Sequence, residues 1–179
     1  MVPDHLPVIT IDGPSASGKG AVSEFLAKKL GFNYLDSGLL YRHFGLEVVS
    51  QGVSLSVLAS DWSEAKRIVG VLEARLAARS KETKKRFSSL IFMDGTSDDA
   101  RTEEAGAFAS KIAKIPFVRN ALLDLQRSFR EWPGLIADGR DMGSVVFPDA
   151  TLKVFLTASS LRRAERRHKQ LKDKGIDVS

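Results

Sequence analysis

Apolar and polar positions follow two rhythms along this chain, and the switches between them mark out most of its elements. Val8-Ile9-Thr10-Ile11-Asp12 is a short apolar run of the kind found in a buried parallel strand. Between Gly18 and Leu30, Val22, Phe25, Leu26 and Leu30 recur at helical spacing on one face, and Gly31 stops the helix. Asn33-Tyr34-Leu35-Asp36 predicts a second strand, followed by Ser37-Gly38 and a helix from Leu39 to about Ser50 that Gly52 ends. Ser63, followed by Ile68, Val69, Leu72 and Leu76, marks another helix. The basic residues from Arg79 to Arg86 then read as a solvated hairpin tip leading to Phe87–Met93, a strand or hairpin arm, with its turn at Asp94-Gly95.

From Thr102 to Arg130 the pattern is helical but broken at Ile115-Pro116, because proline lacks a backbone donor and disfavours helix just before it, so two helices are predicted. Leu135-Ile136-Ala137-Asp138 is a third core strand, and Leu152-Lys153-Val154-Phe155-Leu156 a fourth after the Pro148-Asp149 turn. Ser159 or Ser160 caps a last helix running to about Lys174, with Gly175 at its end. Strands alternating with helices imply an α/β fold with a parallel sheet wound by right-handed crossovers.

The connection after the first strand carries the clearest chemistry. Gly13-Pro14-Ser15-Ala16-Ser17-Gly18-Lys19-Gly20 joins that strand to the helix entered at Ala21, which is the strand–loop–helix setting of a phosphate cradle. The outer glycines let the backbone close around an anion with its N–H groups inward, and the helix start adds positive potential. Lys19 supplies a mobile charge for the β- and γ-phosphates of a nucleoside triphosphate.

Composition narrows the setting. At 179 residues and 43% hydrophobic content the chain suits one domain with a small inserted lobe. It has no cysteine, which excludes a disulfide framework and thiolate chemistry and agrees with a reducing cytoplasm; Met1–Pro7 lacks signal-peptide character, and no run approaches membrane-spanning length. The expectation is a soluble cytoplasmic monomer with no membrane or nucleic-acid partner. The net charge of +5 is concentrated near the end, where Arg162, Arg163, Arg166, Arg167, Lys169, Lys172 and Lys174 crowd together. Beside a phosphate loop, such a run reads as a nucleotide clasp, although a solvated helix face is the commoner outcome. His5, His43 and His168 read as surface or helix-face residues without a chemical role.

Asp36-Ser37-Gly38 with Tyr41-Arg42, the string Ile136-Ala137-Asp138-Gly139-Arg140-Asp141-Met142-Gly143, and Arg163-Ala-x-x-Arg167 together give the chain a resemblance to the bacterial cytidylate kinase family over essentially its whole length. The resemblance implies a P-loop NTPase fold, a parallel sheet sandwiched by helices, and transfer of the ATP γ-phosphoryl group to CMP or dCMP with Mg²⁺. The implied arrangement is a P-loop core at 1–38 and 117–160 with strand order 2-3-1-4, a monophosphate-binding insertion at 39–116, and the start of a mobile lid at 161–179.

Roles follow from the same resemblance. Gly13 to Ala21 would hold ATP, with Lys19 on the transferring group; Ser37, Asp141 and Ser110 would read the cytosine ring; Arg42, Arg119 and Arg140 would grip the monophosphate; and Arg163 and Arg167 would close over the triphosphate. The residues alone leave alternatives open. Ser37 suits a helix cap, Ser110 and Arg119 suit solvated helix faces, Arg140 and Asp141 suit an ion pair, and Asp138 suits either a magnesium-bound water or a loop contact. Arg140 and Asp141 do follow a buried strand at its C-terminal end, where parallel sheets place their ligand crevice.

Two features depart from the family pattern. Ala21 stands where family members usually carry threonine or serine, so magnesium is expected to depend on the phosphates, water and a carboxylate such as Asp138, in a weaker site. Family members also continue past the Lys-Gly-hydrophobic-x-Val segment into more lid, a final strand and a helix, so an incomplete lid and sheet are expected up to Ser179. Two rival readings remain: a P-loop kinase for a neutral alcohol such as shikimate or a sugar, with Asp36 or Asp141 as base, and a nucleotide-binding module without catalysis.

Overall fold

Four short strands carry the centre of the molecule. In the computed structural model, which describes residues 6–83 and 97–173, β1 (Val8–Asp12), β2 (Asn33–Asp36), β3 (Leu135–Gly139) and β4 (Leu152–Phe155) form one parallel sheet in the order β2-β3-β1-β4. The order is the expected one. Asp12 pairs in register with Gly139, and Asp36 with Asp138, so β1, β2 and β3 finish level at the edge where the phosphate loop begins.

Alternation along the strands splits the interior in two. Val8, Leu35, Leu135 and Ala137 enter a large core with Phe44, Ile68, Leu72, Ile112, Leu122 and Phe147, while Ile11 and Ile136 face a smaller one with Ala27. The large core runs without a break from the sheet into the expected insertion. β4 closes the sheet as an edge strand exposed along its whole length.

Eight α-helices lie among the described residues: α1 (Lys19–Leu30), α2 (Ser37–Ser50), α3 (Leu55–Ser60), α4 (Trp62–Thr83), α5 (Ser97–Ala100), α6 (Glu103–Ile112), α7 (Pro116–Ser128) and α8 (Ser160–Asp173). Several ends follow the expected chemistry. Gly31 terminates α1 in the left-handed region, Thr102 caps α6 through a bond from the Ala105 N–H, Pro116 opens α7, and Ser159 Oγ accepts from Arg162 N–H at the start of α8.

Other expectations are corrected. The short helix α3 was not read; Ser54 caps it by accepting from the Val57 N–H. Asp61, not Ser63, starts α4, its carboxylate accepting from both the N–H and the hydroxyl of Ser63. Asp36, not Ser37, caps α2 by accepting from Leu39 N–H at 2.9 Å. In both places a carboxylate takes the acceptor role that a serine hydroxyl would fill more weakly.

The face of α1 differs in part: of the expected residues only Leu26 packs, partly buried, against the smaller core. Val22, Phe25 and Leu30 are exposed, and Ser23 and Ala27 are the buried pair, one turn apart, because small side chains let this helix lie close against the sheet. His43 is buried on α2, whereas His168 on α8 is exposed. Arg79 to Thr83 continue α4 rather than forming a hairpin tip. The expected strand at 87–93, its turn at Asp94-Gly95, His5, Lys174 and Gly175 lie outside the described residues.

After β3 the chain makes a π-helical turn over Met142–Val146 that the sequence reading had no sign of. Asp12 explains its placement. Its two carboxylate oxygens accept from Met142 N–H at 2.8 Å and Gly143 N–H at 2.9 Å, so the end of β1 holds the chain just beyond Arg140 and Asp141.

Candidate active site

The loop from Gly13 to Gly18 turns on backbone shapes that few residues adopt. Gly13 has φ +155°, and a Cβ there would lie 2.2 Å from the Leu156 carbonyl oxygen, so only glycine fits between β1 and the chain leaving β4. Ala16 is left-handed at φ 58°, a conformation that non-glycine residues hold when the surrounding structure enforces it. Ser17 Oγ, inside the loop, is buried with no hydrogen-bond partner among the described residues.

Lys19 opens α1 and faces Asp138, with Nζ 3.6 Å from Oδ1. The Tyr34 hydroxyl donates to the other oxygen at 3.3 Å. Asp138 is 4% exposed, and burial pushes its carboxyl up to about 6, with the Asp36 charge adding to the rise and Lys19 and the Tyr34 bond opposing it. Burial likewise pushes the Tyr34 hydroxyl well above its ordinary value.

A group that binds its proton more tightly in the folded than in the unfolded chain contributes stability that is full at low pH and lost as pH rises through the folded value. For Asp138 that window runs from 3.8 to about 6. Denaturant unfolding from about pH 4 to about pH 7 is expected to show a loss on the order of 3 kcal/mol at most. Asp138→Asn should remove that slope; an unchanged slope would assign it to another group.

Beside Lys19 opens a cleft of about 470 Å³. Its walls come from the phosphate loop (Ser15, Ala16), the start of α2 (Ser37, Tyr41, Arg42), α6 (Glu103, Gly106, Ser110), α7 (Arg119), the end of β3 with its following residues (Asp138, Arg140, Asp141) and α8 (Arg167). Residues from both ends of the sequence therefore meet on one surface. Arg140 Nη2 donates to Ser15 Oγ at 2.7 Å, and Arg119 Nη2 pairs with Asp141 Oδ2. The second contact is the ion pair left open from the sequence, made to α7 rather than within the loop.

Other side chains in the cleft are already engaged. Ser37 is buried and donates from Oγ to Gln126 Oε1 at 3.0 Å, while Ser110 Oγ donates back to the Gly106 carbonyl at 2.9 Å. Arg42 Nη1 donates to the Ala100 and Thr102 carbonyls at 2.9 and 3.1 Å, and burial lowers its pKa against the pull of Asp36 and Glu103. Burial raises the Tyr41 hydroxyl to about 12 despite the nearby Arg119, so it stays a donor at neutral pH. Ala21 is exposed on the first turn of α1 and is not part of the cleft wall.

On α8, Arg167 pairs with Glu103 and so bridges α8 and α6. Arg163 lies in an adjoining hollow of about 530 Å³, its Nε buried without a partner among the described residues. No group of three or more His, Asp or Glu suited to a metal occurs among the described residues.

A sequence model of the cytidylate kinase family matches residues 9–179. The chain belongs to the cytidylate kinase family. It is 49% identical over all of its length to a cytidylate kinase from Nitrosomonas eutropha, of which the match covers 75%. It is 49% identical to one from Pseudomonas aeruginosa and 51% to one from Pseudomonas putida, in each case over 97% of this chain and 73% of the relative.

Around the candidate site, three side chains make contacts that the sequence reading did not give. Arg166 Nη1 donates to the Ser17 carbonyl at 2.5 Å and reaches the Ala16 carbonyl at 3.5 Å, tying α8 to the phosphate loop. The sequence placed Arg166 in the basic run read as a nucleotide clasp, whereas the resemblance gave individual roles only to Arg163 and Arg167. Glu103 and Gln126 carried no such signal, because each matters through one partner that is distant in sequence.

Proposed function

We propose that this chain transfers the γ-phosphoryl group of ATP to CMP or dCMP, giving ADP and CDP or dCDP. The observation that carries the reading is the reach of Arg140 to Ser15: a guanidinium next to the ion pair of Asp141 with Arg119 touches the loop that would cradle the donor. Donor and acceptor sites thus share one wall, as direct in-line transfer requires.

The acceptor chemistry asks little of the protein. The second pKa of a phosphate monoester is about 6, so its oxygen is largely ionised at neutral pH and needs no general base. What remains is alignment and charge neutralisation. Lys19 and the loop N–H groups hold the β- and γ-phosphates, Arg42 and Arg140 orient the monophosphate, and Asp141, with Ser37 and Ser110, reads the cytosine edge. Arg119 serves the monophosphate with the N–H groups that Asp141 leaves over, since a guanidinium has five. Arg163 and Arg167 bring positive charge from the lid side, with Arg167 leaving Glu103 for phosphate.

The same residues weigh against a neutral-alcohol kinase. That reaction wants a carboxylate base at the acceptor, yet Asp36 is engaged as the cap of α2 and Asp141 is paired with Arg119. Magnesium bound with ATP would neutralise charge on the transferring group. The donor set fits a magnesium ion that keeps most of its ligands as phosphate oxygens and water, with Asp138 as the carboxylate beside Lys19. A single cytoplasmic chain suffices for this chemistry, and among the described residues no helix is long and apolar enough to cross a membrane.

Titration calorimetry with CMP and with cytidine tests the acceptor half. The guanidinium contacts to the monophosphate, from Arg42, Arg140 and Arg119, are expected to make CMP bind at least about a hundredfold more tightly than cytidine. Equal binding of the two would remove the phosphate-gripping role from Arg42 and Arg140.

A further inference from the structure

Gly106 sits in the middle of α6 among residues that would favour alanine. Its neighbours are Ala105 and Ala107, the helix is capped by Thr102, and glycine is a poor helix former at such a place. The structure supplies the reason. A Cβ at position 106 would lie 2.7 Å from Arg42 Nη2, 3.1 Å from Cζ and 3.3 Å from Nη1. The guanidinium therefore lies against the bare backbone of α6, where its Nη1 bonds to the Ala100 and Thr102 carbonyls fix it.

The geometry of the helix pair explains how it comes so close. Gly45, one turn beyond Arg42 on α2, packs against Phe108 and Ile112 of α6, so the two helices approach on the face that carries Arg42. The three atoms nearest to a Cβ at 106 would all belong to the flexible end of the Arg42 side chain. The closest obstacle to a side chain at this position is thus a cleft residue.

We infer that Gly106 is a positioning residue for the monophosphate: its missing side chain is the seat that holds the Arg42 guanidinium in the cleft. The inference rests on the reading of Arg42 as a phosphate ligand. A methyl group at 106 displaces the flexible end of Arg42, which costs the fold little and costs the monoester dianion a preorganised contact. Position 106 then controls affinity for the acceptor and leaves the donor site alone.

The test is calorimetry with CMP and with ATP on Gly106→Ala, Arg42→Ala and the double variant, together with thermal unfolding. Gly106→Ala is expected to weaken CMP binding roughly three- to tenfold, with ATP affinity unchanged and a melting temperature equal to or above that of the parent. In the Arg42→Ala background, itself weakened about thirtyfold or more, the same substitution should have no further effect. Three results overturn the inference: unchanged CMP affinity in Gly106→Ala while Arg42→Ala is impaired, an equal loss for ATP and CMP with a lowered melting temperature, or additive losses in the double variant. If Arg42→Ala itself binds CMP normally, the phosphate role of Arg42 falls first and the inference falls with it.

Discussion

Lys19→Met is expected to lower kcat by about 10²- to 10³-fold while CMP affinity stays within about twofold. The side chain emerges at the first residue of α1, directly after the phosphate loop, where loop amides and helix dipole already favour an anion. Removing it takes away a charge aimed at the phosphoryl group in transit, an interaction that strengthens as charge shifts onto the leaving oxygen. Acceptor binding, proposed to depend on arginines from other elements, should be spared. The substitution also removes the ammonium that holds the Asp138 carboxyl down, so the Asp138 titration should move further upward in Lys19→Met. Steady-state kinetics and a pH series of unfolding measure the two effects separately; normal turnover in Lys19→Met would exclude the assigned role.

Arg140→Ala is expected to reduce kcat/KM for CMP by roughly 10²- to 10³-fold, about 3–4 kcal/mol of transition-state stabilisation. This residue is the one cation of the acceptor wall that hydrogen-bonds the phosphate loop, through Ser15, among the contacts described. Its backbone is held by β3 on one side and by the Asp12 clasp on Met142 and Gly143 on the other, so the side chain starts from a fixed point. Arg140→Lys should recover only part of the loss, because a point charge cannot reproduce a planar fork. A kcat/KM within about threefold of the parent in Arg140→Ala would show that the seam between the two subsites lies elsewhere.

Much of this was legible because it is local. Strands declared themselves by short apolar runs, the end of α1 by Gly31, and the break between α6 and α7 by Pro116, each a feature that acts within a turn of its own position. The strand order came with the family resemblance, and so did the grouping of Ser37, Arg42, Ser110, Arg119, Arg140 and Asp141, all of which line one cleft. What stayed hidden depends on partners far away in sequence. The buried face of α1 is set by how near the helix lies to the sheet, which favoured Ser23 and Ala27 over the larger apolar residues. The π-helical turn exists beside a clasp from Asp12, and Ser37 points to Gln126 of α7; no periodicity announces either. The Asp36 and Asp61 caps were local, but serine neighbours with the same preference obscured them.

The most direct measurement is ADP release in a coupled assay with ATP, magnesium and, in separate runs, CMP, dCMP, UMP and AMP as acceptor. Acceptor-dependent turnover is expected with CMP and dCMP well ahead of AMP, since in the proposed site the arginines would serve any monophosphate whereas Asp141 and the serines would read only the cytosine edge. ADP release that ignores the acceptor, or that is fastest with AMP, would contradict it.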